Sequence, residues 1–355
     1  MIIIELMGGL GNQMQQYALY RKFLSLGKEA KLDASWFDGN DRRDRKYPRE
    51  FELTYFRNLP MALCTKREKE ALTGGDGAIS RLLRKTGLKK NAVREVEGMY
   101  EPDIFALDDA YLVGYFACNK YYEDVLPAIR RDVVFPVNPD GTAAEKNRAA
   151  MEQMDRETFA AGGEAHDAAG GQQGGEELPG CRPAQGVAGA YTDDTADRQQ
   201  GGEKPPVSCS IHFRRGDYLD PANSFLTGIC TEAYYEGAVR YLKEQFPGRR
   251  FHYWLFSDDP DFARSRHFGD GDEENTVVDW NTGKSSLLDM QLMSRCSVNI
   301  CANSTFSFWG ARLNPREDAV RIRPSTHRTT QVESPELMHV YWKNWILINA
   351  MGELI

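Results

Sequence analysis

The sequence predicts an α/β protein built from two units, and three observations carry that reading. A β-branched run, Ile2-Ile3-Ile4-Glu5-Leu6, stops at a glycine turn and is followed by helical spacing and a second strand-like run over 30–33, which is how a βαβ crossover opens. From Val207 to Ile322, short apolar runs alternate with helical spacings, the pattern of a doubly wound parallel sheet. Between them, 136–206 is dominated by Gly, Ala, Gln, Glu and Asp and offers few large apolar side chains to bury. At 355 residues the chain also exceeds the roughly 250–300 residues that one core organises.

In order, the first turn is Gly8-Gly9-Leu10-Gly11-Asn12-Gln13, after which Met14, Tyr17, Ala18, Arg21 and Phe23 carry helical spacing up to Gly27. A helix N-terminus entered through glycines binds anions or carbonyl-rich groups at close range. Gly9-x-Gly11 with Asp33 downstream also suggests a nicotinamide-dinucleotide fingerprint. Met14 at the third glycine position and the two amides of Asn12-Gln13 argue against it. The charged, aromatic-rich stretch 38–57 has no period and is either a loop lining a cleft or a solvated excursion. Short helices are predicted at 66–72 and 79–85, a buried strand at 111–116, and a helix at 120–131 with Tyr121, Val125 and Ile129 on one face. A helix over 143–159 fits the composition; beyond it, with His166 and Cys181, flexible chain is expected.

In the second half, strands are predicted at 207–213, 251–256, 276–279, 298–301 and 320–322. Helices fall at 231–246 with Thr231 as N-cap, and at 260–266, 285–296 and 305–313. The organisation is therefore an N-terminal α/β unit at 1–135, an insert or linker at 136–206, a C-terminal α/β unit at 207–330, and a segment at 331–355 that packs back on the fold.

A net charge of -8 and a pI near 5.4 exclude a nucleic-acid coat, so any polyanion site is a local cluster. Seven scattered Cys without C-x-x-C spacing, and no basic, apolar leader at Met1 to Glu5, lead to the expectation of a reduced, cytoplasmic protein. No apolar run has the ~18–20 residues a membrane span needs, which leaves peripheral contact with the inner membrane face as the one membrane role to consider.

The chemistry concentrates at predicted strand ends. In His212-Phe213-Arg214-Arg215-Gly216-Asp217-Tyr218, two adjacent guanidinium forks match the geometry of a diphosphate, and Asp217 is either a base or a brace for the arginines. Asn303-Ser304-Thr305 open a helix with free amides and hydroxyls, a second anion-binding device. Asp258 and Asp289 are carboxylates able to accept from a guanine edge, Asp258 being also a plausible strand-end cap. Asp259-x-Asp261 has the look of a metal motif, but Asp261 follows Pro260 at a helix start, where an acid is favoured by the dipole alone.

Taken together, Gly8-Gly9-Leu10-Gly11-Asn12-Gln13-Met14, Gly114-Tyr115-Phe116, the His212 to Tyr218 run, Phe256-Ser257-Asp258-Asp259-Pro260, Asp289 to Cys296 and Ala302-Asn303-Ser304-Thr305-Phe306-Ser307-x-Trp309 resemble glycosyltransferase family 11, the α-1,2-fucosyltransferases. The resemblance implies a GT-B-type pair of Rossmann-like domains facing across a cleft. It further implies metal-independent, inverting transfer of L-fucose from GDP-β-L-fucose, a co-substrate, to the 2-hydroxyl of a terminal β-galactoside on an oligosaccharide or lipid-linked glycan, with no cofactor and no nucleic acid. Carried over residue by residue, Arg214 and Arg215 hold the diphosphate. His212, Asp258, Asp289, Asn303, Ser304, Thr305 and Ser307 fall on the donor side, and Gly11, Asn12 and Gln13 on the acceptor side of the cleft. The chain departs from the family pattern at Gln15, Ala117-Cys118, Val298 and Phe308, positions that bear on acceptor preference and efficiency. Besides the dehydrogenase, the alternative is a GDP-sugar-binding homologue without transferase activity.

Overall fold

The computed structural model describes residues 1–40, 47–74, 92–96, 98–159, 204–331 and 333–355. The expected helix at 79–85, and 160–203 of the expected insert with His166 and Cys181, lie outside the described residues.

The first unit is a parallel sheet in the order β2-β1-β4-β3, from β1 (Ile2–Glu5), β2 (Ala30–Asp33), β3 (Ala92–Arg94) and β4 (Ala110–Val113). Ile2, Ile3 and Ile4 are each fully buried, as a central strand covered on both faces requires, and this is why β1 reads as an unbroken apolar run. Helix α1 (Leu10–Ser25) crosses over to β2; α2 (Lys66–Thr73) and α3 (Leu126–Asp132) flank the unit.

The second unit is a six-stranded parallel sheet in the order β10-β9-β8-β5-β6-β7. Its strands are β5 (Val207–Phe213), β6 (Phe251–Ser257), β7 (Asn275–Val278), β8 (Val298–Ile300), β9 (Val320–Pro324) and β10 (Ile346–Ile348), with α4 (Gly141–Arg156), α5 (Glu232–Gln245), α6 (Pro260–Arg264), α7 (Leu287–Met293), α8 (Thr305–Leu313) and α9 (Pro335–Tyr341) around them. Phe213 pairs with Ser257, so Arg214 and Asp258 leave adjacent strands side by side at the carboxyl edge, where parallel α/β sheets bind ligands. The two units thus form the pair of α/β units with parallel sheets that the sequence predicts.

Four details differ from the expectation. The helix expected at 120–131 is two 3-10 turns, Asn119–Tyr121 and Glu123–Val125, followed by α3; Pro127, lacking an N–H, sits in the first turn of α3 and starts it there. Tyr121, Val125 and Ile129 are nonetheless buried together. The strand at 111–116 stops at Val113 because Phe116 turns into the left-handed region, φ 50. Residues 136–159 are no linker: Asp140 caps α4 by accepting from the Thr142 and Ala143 amides. Met154 and Ala150 of α4 bury against Trp254, Phe256, Leu292 and Met293. Finally, the C-terminal segment adds an edge strand, β10, as well as packing back, and its Trp342 and Trp345 are buried beside Phe308 at ring distances of 5.1 and 6.0 Å.

If α4 belongs to the second unit, Met154→Ala costs about 2–5 kcal/mol of unfolding free energy in a denaturant titration, the usual range for emptying a fully buried Met site. Stability equal to the unsubstituted chain would show α4 to be a detachable appendage.

Candidate active site

Between the carboxyl edges of the two sheets lies a cavity of about 980 Å³. From the first unit it is lined by the Gly8 to Asn12 turn, Arg49, Glu52 and Tyr115; from the second by His212, Arg214, Asp217, Asp258, Asp289 and Ser304 to Phe306. The N-termini of α1 and α8 meet there. Asn12 Oδ1 accepts from Thr305 Oγ1 at 3.0 Å, and a Cβ at Gly11 would stand 2.5 Å from the Thr305 carbonyl carbon, so only glycine allows this approach. Two helix N-termini opening on one cleft favour an anionic or electron-rich ligand.

The arginine turn is held by carboxylates on three sides. Arg214 Nη1 donates to Asp258 at 2.6 Å and its Nη2 to Asp217; Asp217 also accepts from Arg49 of the first unit. Asp258 accepts the Arg215 amide at 2.9 Å, and a Cβ at Gly216 would sit 2.4 Å from Asp258, which explains the glycine. Arg215 Nε donates to Asp259 at 2.9 Å and its guanidinium stacks 3.9 Å over Phe262. Arg214 therefore faces the cavity and Arg215 turns to Asp259 and Phe262. Asp217 and Asp258 brace this turn, and Asp259 also caps α6 through the Phe262 amide.

The other expected site residues divide. His212 lines the cavity with its ring buried and its Nδ1 without a hydrogen-bond partner. Burial, reinforced by Arg214, pushes its pKa down to about 3, so the imidazole is neutral. Asp289 lies in the wall and accepts from Asn281 Nδ2 at 2.9 Å; burial pushes its carboxyl up to about 8 against that amide's pull. Ser304 and Thr305 line the cavity, Ser304 as N-cap of α8. Gln13, Asn303 and Ser307 do not reach it. Gln13 is fully buried, donating to the Gly8 and Glu50 carbonyls and accepting from the Glu52 and Leu53 amides. Asn303 donates to the Leu226 and His327 carbonyls, and Ser307 to those of Ala302 and Ser304. Each is the immediate sequence neighbour of a residue that lines the cavity, and its polar atoms are used on nearby backbone.

Asp33, at the ribose position of a dinucleotide fingerprint, is ion-paired with Lys69 at 2.7 Å and accepts from Tyr111 Oη at 2.6 Å. That acid is engaged inside the first unit. Among the described residues, no three His, Cys, Asp or Glu side chains gather in a way that could hold a metal ion. Arg49 and Glu52 line the cavity and were not singled out from the sequence; the only signal for them was the charged, aromatic stretch 38–57.

Residues 193–349 match the family model described as Glycosyl transferase family 11. The Alpha-1,2-colitosyltransferase of Escherichia coli is 37% identical over 119 residues, 33% of this chain and 40% of that protein. The O-antigen biosynthesis glycosyltransferase WbnK of Escherichia coli is 41% identical over 117 residues, 32% of this chain and 37% of that protein. The matched stretches thus span less than half the length of these relatives. The solved fucosyltransferase NodZ from Bradyrhizobium aligns over 88% of this chain and 93% of its own at 12% identity, with a TM-score of 0.42.

The raised carboxyl of Asp289 fixes a pH dependence. Unfolded, it loses its proton near 3.8; folded, near 8. In that window the unfolded state binds fewer protons, so the stability this group contributes is full below the lower value and is lost as pH rises toward the upper one. Asp289→Asn, which keeps an acceptor for Asn281, should raise the melting temperature measured near pH 8 and leave it unchanged near pH 4. An equal effect at both pH values would contradict the shifted carboxyl.

Proposed function

Residues 193–349 of this chain are a glycosyltransferase family 11 domain, and from that premise we propose that the protein transfers L-fucose from GDP-β-L-fucose to the 2-hydroxyl of a terminal β-galactoside. The observation that carries the reading is Arg214, a cavity-facing guanidinium placed by two carboxylates beside the N-terminus of α8. A β-linked donor giving an α-linked product calls for one in-line displacement, with negative charge growing on the leaving diphosphate. Arg214 supplies planar donors to that charge, and the α8 amides add theirs. Arg215, held by Asp259 and Phe262, fixes the turn that presents Arg214. Neutral His212 and Asp289 lie on the same unit as recognition groups for the nucleotide; Asp289 accepting from a guanine edge would be drawn into its ionised form.

A second donor is favoured by one observation, the similarity to a colitosyltransferase: a GDP-activated L-colitose, which lacks the 3-hydroxyl of fucose, would use the same diphosphate and guanine contacts. A GDP-sugar-binding protein without transfer is the remaining alternative. Charge stabilisation by arginine makes the reaction independent of a divalent cation in this reading.

Incubation with GDP-fucose or GDP-colitose and a panel of β-galactosides, followed by linkage analysis, is expected to give an α-1,2-linked product at a rate unchanged by EDTA. GDP binding without product from any acceptor would leave the binding-protein reading standing. Arg214→Ala should lower kcat by about 10²–10³, the cost of one donor to a developing anion; near-normal turnover would remove Arg214 from the diphosphate role.

A further inference from the structure

We propose that Glu52, on the first unit, is the catalytic base that takes the proton of the acceptor hydroxyl. The inference rests on the transfer reading above and names a residue that reading leaves open. The cavity wall carries the carboxylates of Glu52, Asp217, Asp258, Asp279, Asp289 and Glu333. Asp217 is bound by Arg214 and Arg49, Asp258 by Arg214 and the Arg215 amide, and Asp279 by Arg264. Each of these carboxylates is thus already occupied in holding an arginine. Asp289 belongs to the unit assigned to the nucleotide, where Asn281 holds it. Glu333 lies against Gly98, in the field of Arg323 and Arg328.

Glu52 differs in place and in partners. Its backbone is fixed by a 2.9 Å bond from its amide to Gln13 Oε1, and its carboxylate takes the Leu10 amide at the start of α1. It therefore stands over the glycine turn, on the acceptor wall opposite the arginine turn. Among the described residues, no Lys, Arg or His forms an ion pair with it within 4.0 Å. The charged groups that face it are Arg49 and Glu50 on its own segment and Arg214 across the cleft. Burial raises its pKa despite both arginines, which makes it a stronger base than an ordinary carboxylate. In the step, the acceptor O–H bond breaks and its proton moves to a Glu52 carboxylate oxygen. The acceptor oxygen forms the new bond to the sugar's C1, and the C1–O bond to GDP breaks with its electron pair leaving on the diphosphate. Glu52 then returns its proton to water.

The test compares wild type with Glu52→Gln and Glu52→Asp for kcat, its pH profile and GDP affinity. Gln keeps an acceptor for the Leu10 amide, and a melting curve checks the fold. The expected result is a kcat lower by about 10²–10⁴ in Glu52→Gln, loss of the acidic limb of the wild-type profile, unchanged GDP affinity, and partial rescue by Asp. Wild-type kcat, or reduced kcat with the acidic limb intact, would overturn the base assignment and leave Glu52 a cap of α1. Absence of transfer by the wild type itself would instead sink the transfer reading, and this role with it.

Discussion

Everything at the cleft depends on the contact of Gly11 with Thr305, where the first turns of α1 and α8 meet. Each helix begins directly after a strand, β1 in one unit and β8 in the other, and each directs its positive end to the same space. The approach is closer than any side chain at position 11 permits, and the Asn12–Thr305 hydrogen bond fixes it. Behind the contact the two units share one core. Trp309 is fully buried and stacks on Tyr122 at 5.7 Å. Arg312, also buried, donates to Asn119 at 3.1 Å and lies over Trp342 at 4.7 Å. Opening the units wide would strip a desolvated guanidinium of its partners, a costly event.

An acidic chain builds a site for an anion by placing its positive groups in advance. Arg214 is held by carboxylates from two different segments, and Asp217 joins it to Arg49 of the first unit. A guanidinium so oriented has little entropy left to lose when a ligand arrives, which is what preorganised electrostatic stabilisation requires. The same pairing explains why net charge gave no warning of the site: the carboxylates that orient the arginines cancel them in any count.

The legible parts were those in which one physical need selects one residue type. β5 with its arginine turn, the Thr231 cap and the alternation of strands and helices in the second half follow from periodicity and capping. The illegible parts were of two kinds. Gln13, Asn303 and Ser307 have the chemistry of cleft residues, yet their side-chain hydrogen bonds go to nearby backbone or to Cys230, and sequence does not tell which way a polar side chain next to a cleft residue points. Helix α4 was expected over 143–159, but its place in the second unit's core was hidden, because it buries small residues, Ala143 and Ala150, and an Asn at 147 that bonds Asn281 and Trp280. A low-complexity composition and a helix with a small-residue face look alike. Arg49 and Glu52 stand in a stretch with no period, and only the tertiary fold brings it to the cavity.

The carboxylates around the site sort by environment rather than by residue type. Those at the arginine turn, Asp217, Asp258 and Asp259, each engage a guanidinium and act as braces. Glu95 is pushed up to about 7 by burial while the Tyr115 and Phe116 amides bind it, and it holds the turn after β4. Asp289 and Glu52 are desolvated at the two walls of the cavity, one on each unit. Environments that push like groups apart are how a single site obtains both fixed charge and proton exchange. Here the sorting follows the partners rather than the units: the carboxylates of the arginine turn are paired with guanidinium groups, while Asp289 on the second unit and Glu52 on the first have burial as the largest influence on them.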